Sequence, residues 1–256
     1  MLYWLPAMGV SARRYLPWAQ ALASCGIAVV VHEWRGIGSS SRRASRRCNW
    51  GYRELLEDDL PAAWAVVREH WPLAPCCVGG HSLGGQMAML LAALRPAAFS
   101  GVVLVASGAP YWRQFPRGRL IAMAYVLAPC LARFCGYLPG RRIGFGGNEA
   151  RGVIADWSRT GRTGRYAARG VGIDLEQALR EMRIPILGLR LMGDWLAPLA
   201  SLTYLLDKAT LAPRTVECLS ARDPDAAETA HFAWMQAPLS LVSRVASWTG
   251  MLPTRP

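Results

Sequence analysis

The chemistry in this sequence concentrates at Ser82, within the run Val78-Gly79-Gly80-His81-Ser82-Leu83-Gly84-Gly85. A serine hydroxyl is a poor nucleophile at its own pKa. It becomes an effective one when a neighbouring base takes its proton during attack and a third group orients that base. The serine must also be presented to substrate. A G-x-S-x-G elbow does this by ending a strand in a sharp turn and starting a helix at the next residue. Gly80 and Gly84 have no Cβ to keep such a turn open, so it can close and hold Ser82 in a strained conformation. Cys76-Cys77-Val78 before the turn is a short apolar segment, and residues 86–94 after it are helix-forming throughout. A helix starting near Leu83 would aim its free N–H groups and positive dipole end at the same point, supplying half of an oxyanion hole. The plainer alternative is a glycine-rich turn with no chemistry; the flanking strand and helix and His81 at the second position favour the nucleophile.

Positioning Ser82 takes a sheet. Apolar runs at residues 2–5, 27–32, 101–106 and 184–191 read as further strands, residues 214–219 read as the last one, and the run 27–32 is continuous enough to be a buried parallel strand. Helical spacing covers residues 15–24, with Leu16, Ala19 and Leu22 on one face, and residues 51–70, where Pro61 should kink or divide the helix. Glu54, Glu57, Asp58 and Asp59 suit the start of that helix by dipole and solvation, and His70 marks its end. A C-terminal helix is expected over residues 238–248. The strand–helix alternation breaks between about 111 and 183.

The run Gly80-His81-Ser82-Leu83-Gly84-Gly85 resembles the nucleophile elbow of the α/β-hydrolase superfamily, and nearly the whole chain is similar to that pattern in order. The likeness is greatest to bacterial hydrolases grouped with serine-aminopeptidase-like and lipase-like members. It implies an α/β fold with a mostly parallel sheet and helices on both faces, a core of residues 1–110 and 184–256, and a helical cap formed by residues 111–183. It also implies that the cap sets specificity. Asn148, Glu149, Asp156 and Trp157 are candidate cap-side contacts. Superfamily members carry two antiparallel strands ahead of the oxyanion strand; here residue 1 falls almost inside that strand, and those two strands are expected to be absent.

The same resemblance assigns the remaining site. Relatives carry a His-Gly-x-Gly-like loop after the first strand. Aligned on Tyr15, Pro6 takes the His position and Met8 the position of the second oxyanion donor beside Leu83, with Ala7 the alternative donor. Glu33-Trp34-Arg35-Gly36-Ile37-Gly38-Ser39-Ser40 is similar to a structural D-x-R-G-x-G-x-S loop, with Glu33 for Asp. The base belongs after the last strand, where His231 stands; His32, His70 and His81 fall elsewhere. The acid belongs past the strand at 184–191. Many relatives place it where this chain has Leu196, but Asp194 is the carboxylate of that loop; Asp223 or Asp225 could replace it. Ser82, Asp194 and His231 then follow the α/β-hydrolase chain order. A serine at the elbow implies cleavage of esters, thioesters or amides, whereas dehalogenases and epoxide hydrolases use Asp there.

Composition bounds the rest. The chain has 256 residues, 52% of them hydrophobic, and a formal net charge of +12. It is long enough for one domain with a large core. Lys208 is the single lysine among 29 basic residues, a bias that GC-rich coding explains more simply than nucleic-acid binding. The expected partner is a small-molecule acyl substrate, with an anionic one as the alternative the arginines would suit. Arg42, Arg43, Arg46 and Arg47 form either a solvated basic loop or an anion-recognising rim. Seven cysteines without metal-ligand spacing read as reduced and mostly core, in a cytoplasmic monomer or homodimer. No metal, cofactor or nucleotide motif is present. The apolar run 120–132 is expected to be too short for a transmembrane segment. Acyl transfer or thioester hydrolysis, and a non-catalytic scaffold, remain alternatives to ester hydrolysis.

Overall fold

The apolar runs become strands, and their alternation divides the core in two. The computed structural model describes residues 1–220 and 230–252. The chain runs β1 (Leu2–Leu5), α1 (Leu16–Ser24), β2 (Val29–Val31), α2 (Leu60–His70), β3 (Cys77–His81), α3 (Leu83–Leu94) and β4 (Gly101–Val105). It continues through α4 (Gly118–Cys135), β5 (Leu138–Pro139), α5 (Gly140–Ile143), β6 (Asn148–Glu149), α6 (Arg151–Thr163) and α7 (Leu175–Glu181). It ends with β7 (Ile186–Leu191), α8 (Leu199–Leu206), β8 (Arg214–Leu219) and α9 (Leu239–Gly250). Six strands form one sheet in the order β2-β1-β3-β4-β7-β8, and every pairing in it is parallel.

Successive side chains of a strand point to opposite faces. Tyr3, Leu5, Val78, Val102 and Leu104 pack on one side of the sheet with α2, α3 and α7. Leu2, Trp4, Cys77, Val103 and Val105 pack on the other with α1 and α9. The adjacent cysteines Cys76 and Cys77 thus enter different cores.

Topology then locates the crevice. From β1 the chain crosses outward to β2, and then returns to the other side of β1 to lay down β3. Strand order therefore reverses between β1 and β3, and ligands of open α/β sheets bind outside the carboxyl ends of the strands at such a switch point. The loop holding Met8 leaves β1 there, and Ser82 follows β3.

Several sequence expectations are corrected. The strand expected over 27–32 shortens to β2, and it is half-buried, because it is an edge strand with a neighbour on one side only. On α1 the buried residues are Trp18 and Leu22, while Leu16 is half exposed. The helix over 51–70 is divided ahead of Pro61, with a π-helical stretch Glu54–Asp59 leading into α2. Of the cysteines only Cys76 and Cys77 are buried, so the reading of mostly core cysteines fails. The apolar run 120–132 lies inside α4, which at 18 residues is long and apolar enough by length and composition to cross a membrane. Instead α4 packs along α6 with Tyr125 and Ala132 buried. In the same insertion β5 and β6 form a small antiparallel pair, and α7 packs against α3.

Candidate active site

Ser82 sits at φ 54°, ψ −119°, between β3 and α3. That is a strained region for a residue with a side chain, and such strain persists only where the surroundings over-determine it. Here they do. The Ser82 N–H donates to Val105 O at 3.2 Å, and the Ser82 carbonyl accepts from Ser107 Oγ at 2.7 Å. Three glycines make room for the turn. A Cβ on Gly84 would collide with the Leu5 and Pro6 carbonyls, one on Gly80 with the Gly84 backbone, and one on Gly85 with the Ser107 side chain.

The loop after β1 faces the elbow. Trp34 Nε1 donates to Pro6 O at 2.8 Å, and the Ala7 N–H donates to Tyr15 Oη at 2.9 Å. Ala7's N–H is thus engaged within the protein, and Met8 follows it in the same loop. Leu83 is the first residue of α3, so its N–H has no acceptor within the helix. The Tyr15 hydroxyl also contacts His81 Nδ1 at 2.8 Å. Burial holds the His81 imidazole well below its ordinary pKa, as does its neighbour His231. His81 therefore ties the elbow to the loop after β1 through Tyr15. Glu33 is structural, as expected: its carboxylate accepts from the Ala12 N–H at 3.0 Å and the Ser39 N–H at 3.2 Å.

His231 Nδ1 meets Asp194 Oδ2 at 2.6 Å, and both residues are buried. The other carboxylate oxygen, Oδ1, accepts from the Leu196 and Ala197 N–H groups at 2.9 and 3.3 Å. Asp194 is therefore oriented by its own loop while it holds the imidazole; it does not cap α8, whose N-cap residue is Pro198. The His231 loop is anchored three residues on by Trp234, which is fully buried. Its indole lies 5.3 Å from Trp18, 6.2 Å from Trp4 and 5.2 Å from His81, ring centre to ring centre. Asp223 and Asp225 lie outside the described residues.

Ser82 and His231 open onto one cavity of about 410 Å³, which Ala7 and Met8 also line. Its walls are chiefly apolar, with Phe115, Ile121, Tyr125, Phe145, Trp157 and Phe232 among them. Such a volume lies within the usual range for small-molecule sites. Of the four cap-side candidates, Trp157 lines this cavity. Asp156 instead accepts from the Tyr52 N–H at 2.8 Å and pairs with Arg159; the Glu149 carboxylate is buried and accepts from the Gly147 N–H at 2.9 Å; and Asn148 lies on β6. Arg42, Arg43, Arg46 and Arg47 are exposed and away from the cavity lining.

Sequence reasoning missed the supports. Ser107 and Trp234 hold the site without showing a motif of their own, and nothing in the sequence signals that Tyr15 and His81 contact each other, although an aromatic shortly after the candidate base was a visible signal for Trp234. Gln86, one helical turn beyond Ser82, also lines the cavity and is buried.

Comparison with known proteins places the chain among hydrolases. The family model described as serine aminopeptidase, S33, matches residues 2–147. Monoglyceride lipase of Rattus norvegicus is 32% identical over 103 residues, which is 38% of this chain and 31% of that protein, so the match spans about a third of the relative. Among solved structures, a monoacylglycerol lipase of Paleococcus ferrophilus superposes with a TM-score of 0.62 at 16% identity, covering 96% of this chain and 92% of the other. A thioesterase domain from the curacin biosynthetic pathway superposes with a TM-score of 0.57 at 19% identity, covering 96% and 90%. At these identities the structural likeness speaks for the fold.

Proposed function

The chain belongs to the serine aminopeptidase S33 family of α/β-hydrolases, and from that premise we propose that it is a serine hydrolase cleaving an ester-type bond of a small or medium acyl substrate through Ser82, His231 and Asp194. The observation that carries the reading is the 2.6 Å contact between His231 Nδ1 and Asp194, with His231 lining the cavity onto which the strained Ser82 also opens. With Nδ1 committed to Asp194, Nε2 is the imidazole nitrogen left for the serine. His231 takes the Ser82 proton as Oγ attacks the acyl carbonyl, then gives it to the leaving group as the tetrahedral intermediate collapses to an acyl-enzyme. Water repeats the sequence and releases the acid. Asp194 fixes the tautomer and stabilises the imidazolium. The Met8 and Leu83 N–H groups bind the oxyanion, each a contribution of about 3–4 kcal/mol to the transition state in comparable sites.

The apolar walls favour an aliphatic or aromatic acyl group. Residues 111–183 act as the cap that shapes this pocket, through Tyr125, Phe145 and Trp157. The seven free cysteines suit a reducing, cytoplasmic setting. The names of the relatives, a monoglyceride lipase and a thioesterase domain, support the ester and thioester classes.

A fluorophosphonate probe tests the reading directly. Wild type is expected to be labelled, and Ser82→Ala and His231→Ala are not. A folded wild type that resists labelling overturns the proposal and favours a binding role for the scaffold. Labelling combined with turnover of anionic thioesters and weak turnover of neutral esters moves the assignment to the thioesterase or acyltransferase class.

A further inference from the structure

Helix α4 has two apolar faces, and the protein uses one of them. Tyr125 and Ala132 are buried, and Tyr125 sits edge-on to Trp157 with ring centres 4.7 Å apart. Gly161 of α6 has no side chain where the Tyr125 ring lies; a Cβ there would strike the ring. On the opposite side Leu120, Met123, Val126 and Leu127 are each more than half exposed, and Phe134 is 76% exposed. At about 100° per residue, Leu120, Met123, Leu127 and Phe134 fall within about 60° of one another. Single exposed apolar residues are ordinary, but a stripe of this length along one helix marks a surface that meets something apolar.

The charge around the stripe says what. No Asp or Glu occurs between Glu69 and Glu149, while Arg113, Arg117, Arg119, Arg133, Arg141 and Arg142 all lie in that interval. The basic loop joins the same surface: Arg46 donates to the carbonyl of Phe134, and Gly136 packs against the Arg46 side chain. Ile143, also more than half exposed, stands beside Arg141 and Arg142. A second copy of this chain would bring arginines against arginines. An anionic bilayer surface offers phosphates to the arginines and an acyl boundary to the stripe, the arrangement of a helix lying in the membrane interface.

We propose that the outer face of α4, from Leu120 to Phe134 with the flanking arginines, docks the protein on an anionic membrane surface. The helix lies in the plane of the interface. Its other side, through Ile121, Ala124 and Tyr125, forms a wall of the Ser82 cavity, whose lining also includes the exposed Trp195 and Phe232. Docking would therefore set the cavity beside the lipid surface. The outer residues Met123 and Leu127 are more than half exposed and lie outside the cavity lining, so they can be changed without touching the site.

The test is co-sedimentation with vesicles of phosphatidylcholine alone and of phosphatidylcholine with phosphatidylglycerol, at low and high salt, with the Ser82→Ala protein run alongside wild type. Both proteins are expected to bind the anionic vesicles, with salt weakening the interaction as it screens the arginines. The double variant Met123→Asp/Leu127→Asp is expected to bind at least about tenfold more weakly, since two buried apolar side chains are lost, while a water-soluble short-chain ester is turned over as by wild type. Absence of binding by wild type, or equal binding by the double variant, overturns the proposal. So does a wild-type dimer in sedimentation velocity that the double variant abolishes, because the stripe is then a contact between copies. Vesicle binding is read without turnover, so failure of the hydrolase assignment leaves this result legible.

Discussion

Asp194 meets His231 through one carboxylate oxygen and its own loop through the other. Oδ2 lies 2.6 Å from His231 Nδ1, while Oδ1 accepts the Leu196 and Ala197 N–H groups. Asp194→Asn keeps the size of the side chain and an oxygen for the loop, but can present a donor to Nδ1 and so favour the wrong tautomer. The expected result is a fall in kcat of roughly 10³–10⁴ with little change in folding, measured on a short-chain ester beside circular dichroism. Unchanged kcat would remove Asp194 from the mechanism.

Tyr15 bridges the loop after β1 and the elbow. Tyr15→Phe leaves the Ala7 N–H and His81 Nδ1 buried without their partner. The cost expected is about 1–3 kcal/mol of stability. kcat should fall more than KM changes, because the loop carrying Met8 loses its anchor. Denaturant unfolding together with steady-state kinetics checks both parts.

The elbow should not tolerate a methyl group. Gly84→Ala puts a Cβ into the Leu5 and Pro6 carbonyls, which are backbone and cannot rotate away. Folded yield and fluorophosphonate labelling should both collapse. Gly26→Ala is the control. Gly26 has φ +79° but nothing within 4 Å of a Cβ, so strain alone should cost about 1–2 kcal/mol and leave labelling intact.

Glu149 gives a pH signature. Burial pushes its carboxyl up from about 4.5 to about 7, against the opposing pull of the Gly147 N–H and Arg141. The folded protein thus holds a proton that the unfolded chain releases. Stability should fall as pH rises from about 4.5 to about 7 and level off above, by at most roughly 3 kcal/mol from this group. Glu149→Gln, which stays neutral and can still accept from Gly147, should flatten that slope. Thermal unfolding between pH 5 and 8 reads the difference.

Much of this was legible in the chain because it is local. The elbow depends on glycines at fixed offsets from Ser82, and the central strands β1 and β4 declare themselves by apolar runs whose alternation fills both cores. The order of serine, acid and histidine is likewise linear information. Asp194 was readable as the carboxylate of its loop even though Leu196 occupies the position many relatives use, since a loop carboxylate needs only to reach the histidine.

What only the tertiary structure decided is which of these residues meet, and at what angle. Asp194 and His231 are 37 positions apart in sequence, and nothing local fixes their contact; the parallel pairing of β7 with β8 and the burial of Trp234 among Trp4, Trp18 and His81 do. Burial itself is also a property of the assembled sheet. The apolar run 27–32 reads as a buried strand, yet β2 lies half-buried at an edge because, among the described residues, no second strand pairs with it. Within the insertion, α4 buries only one side, because side chains at helical spacing point all round and the structure beneath covers one face. Sequence determines which residues can do the chemistry; distance, burial and orientation are set by contacts between segments far apart in the chain.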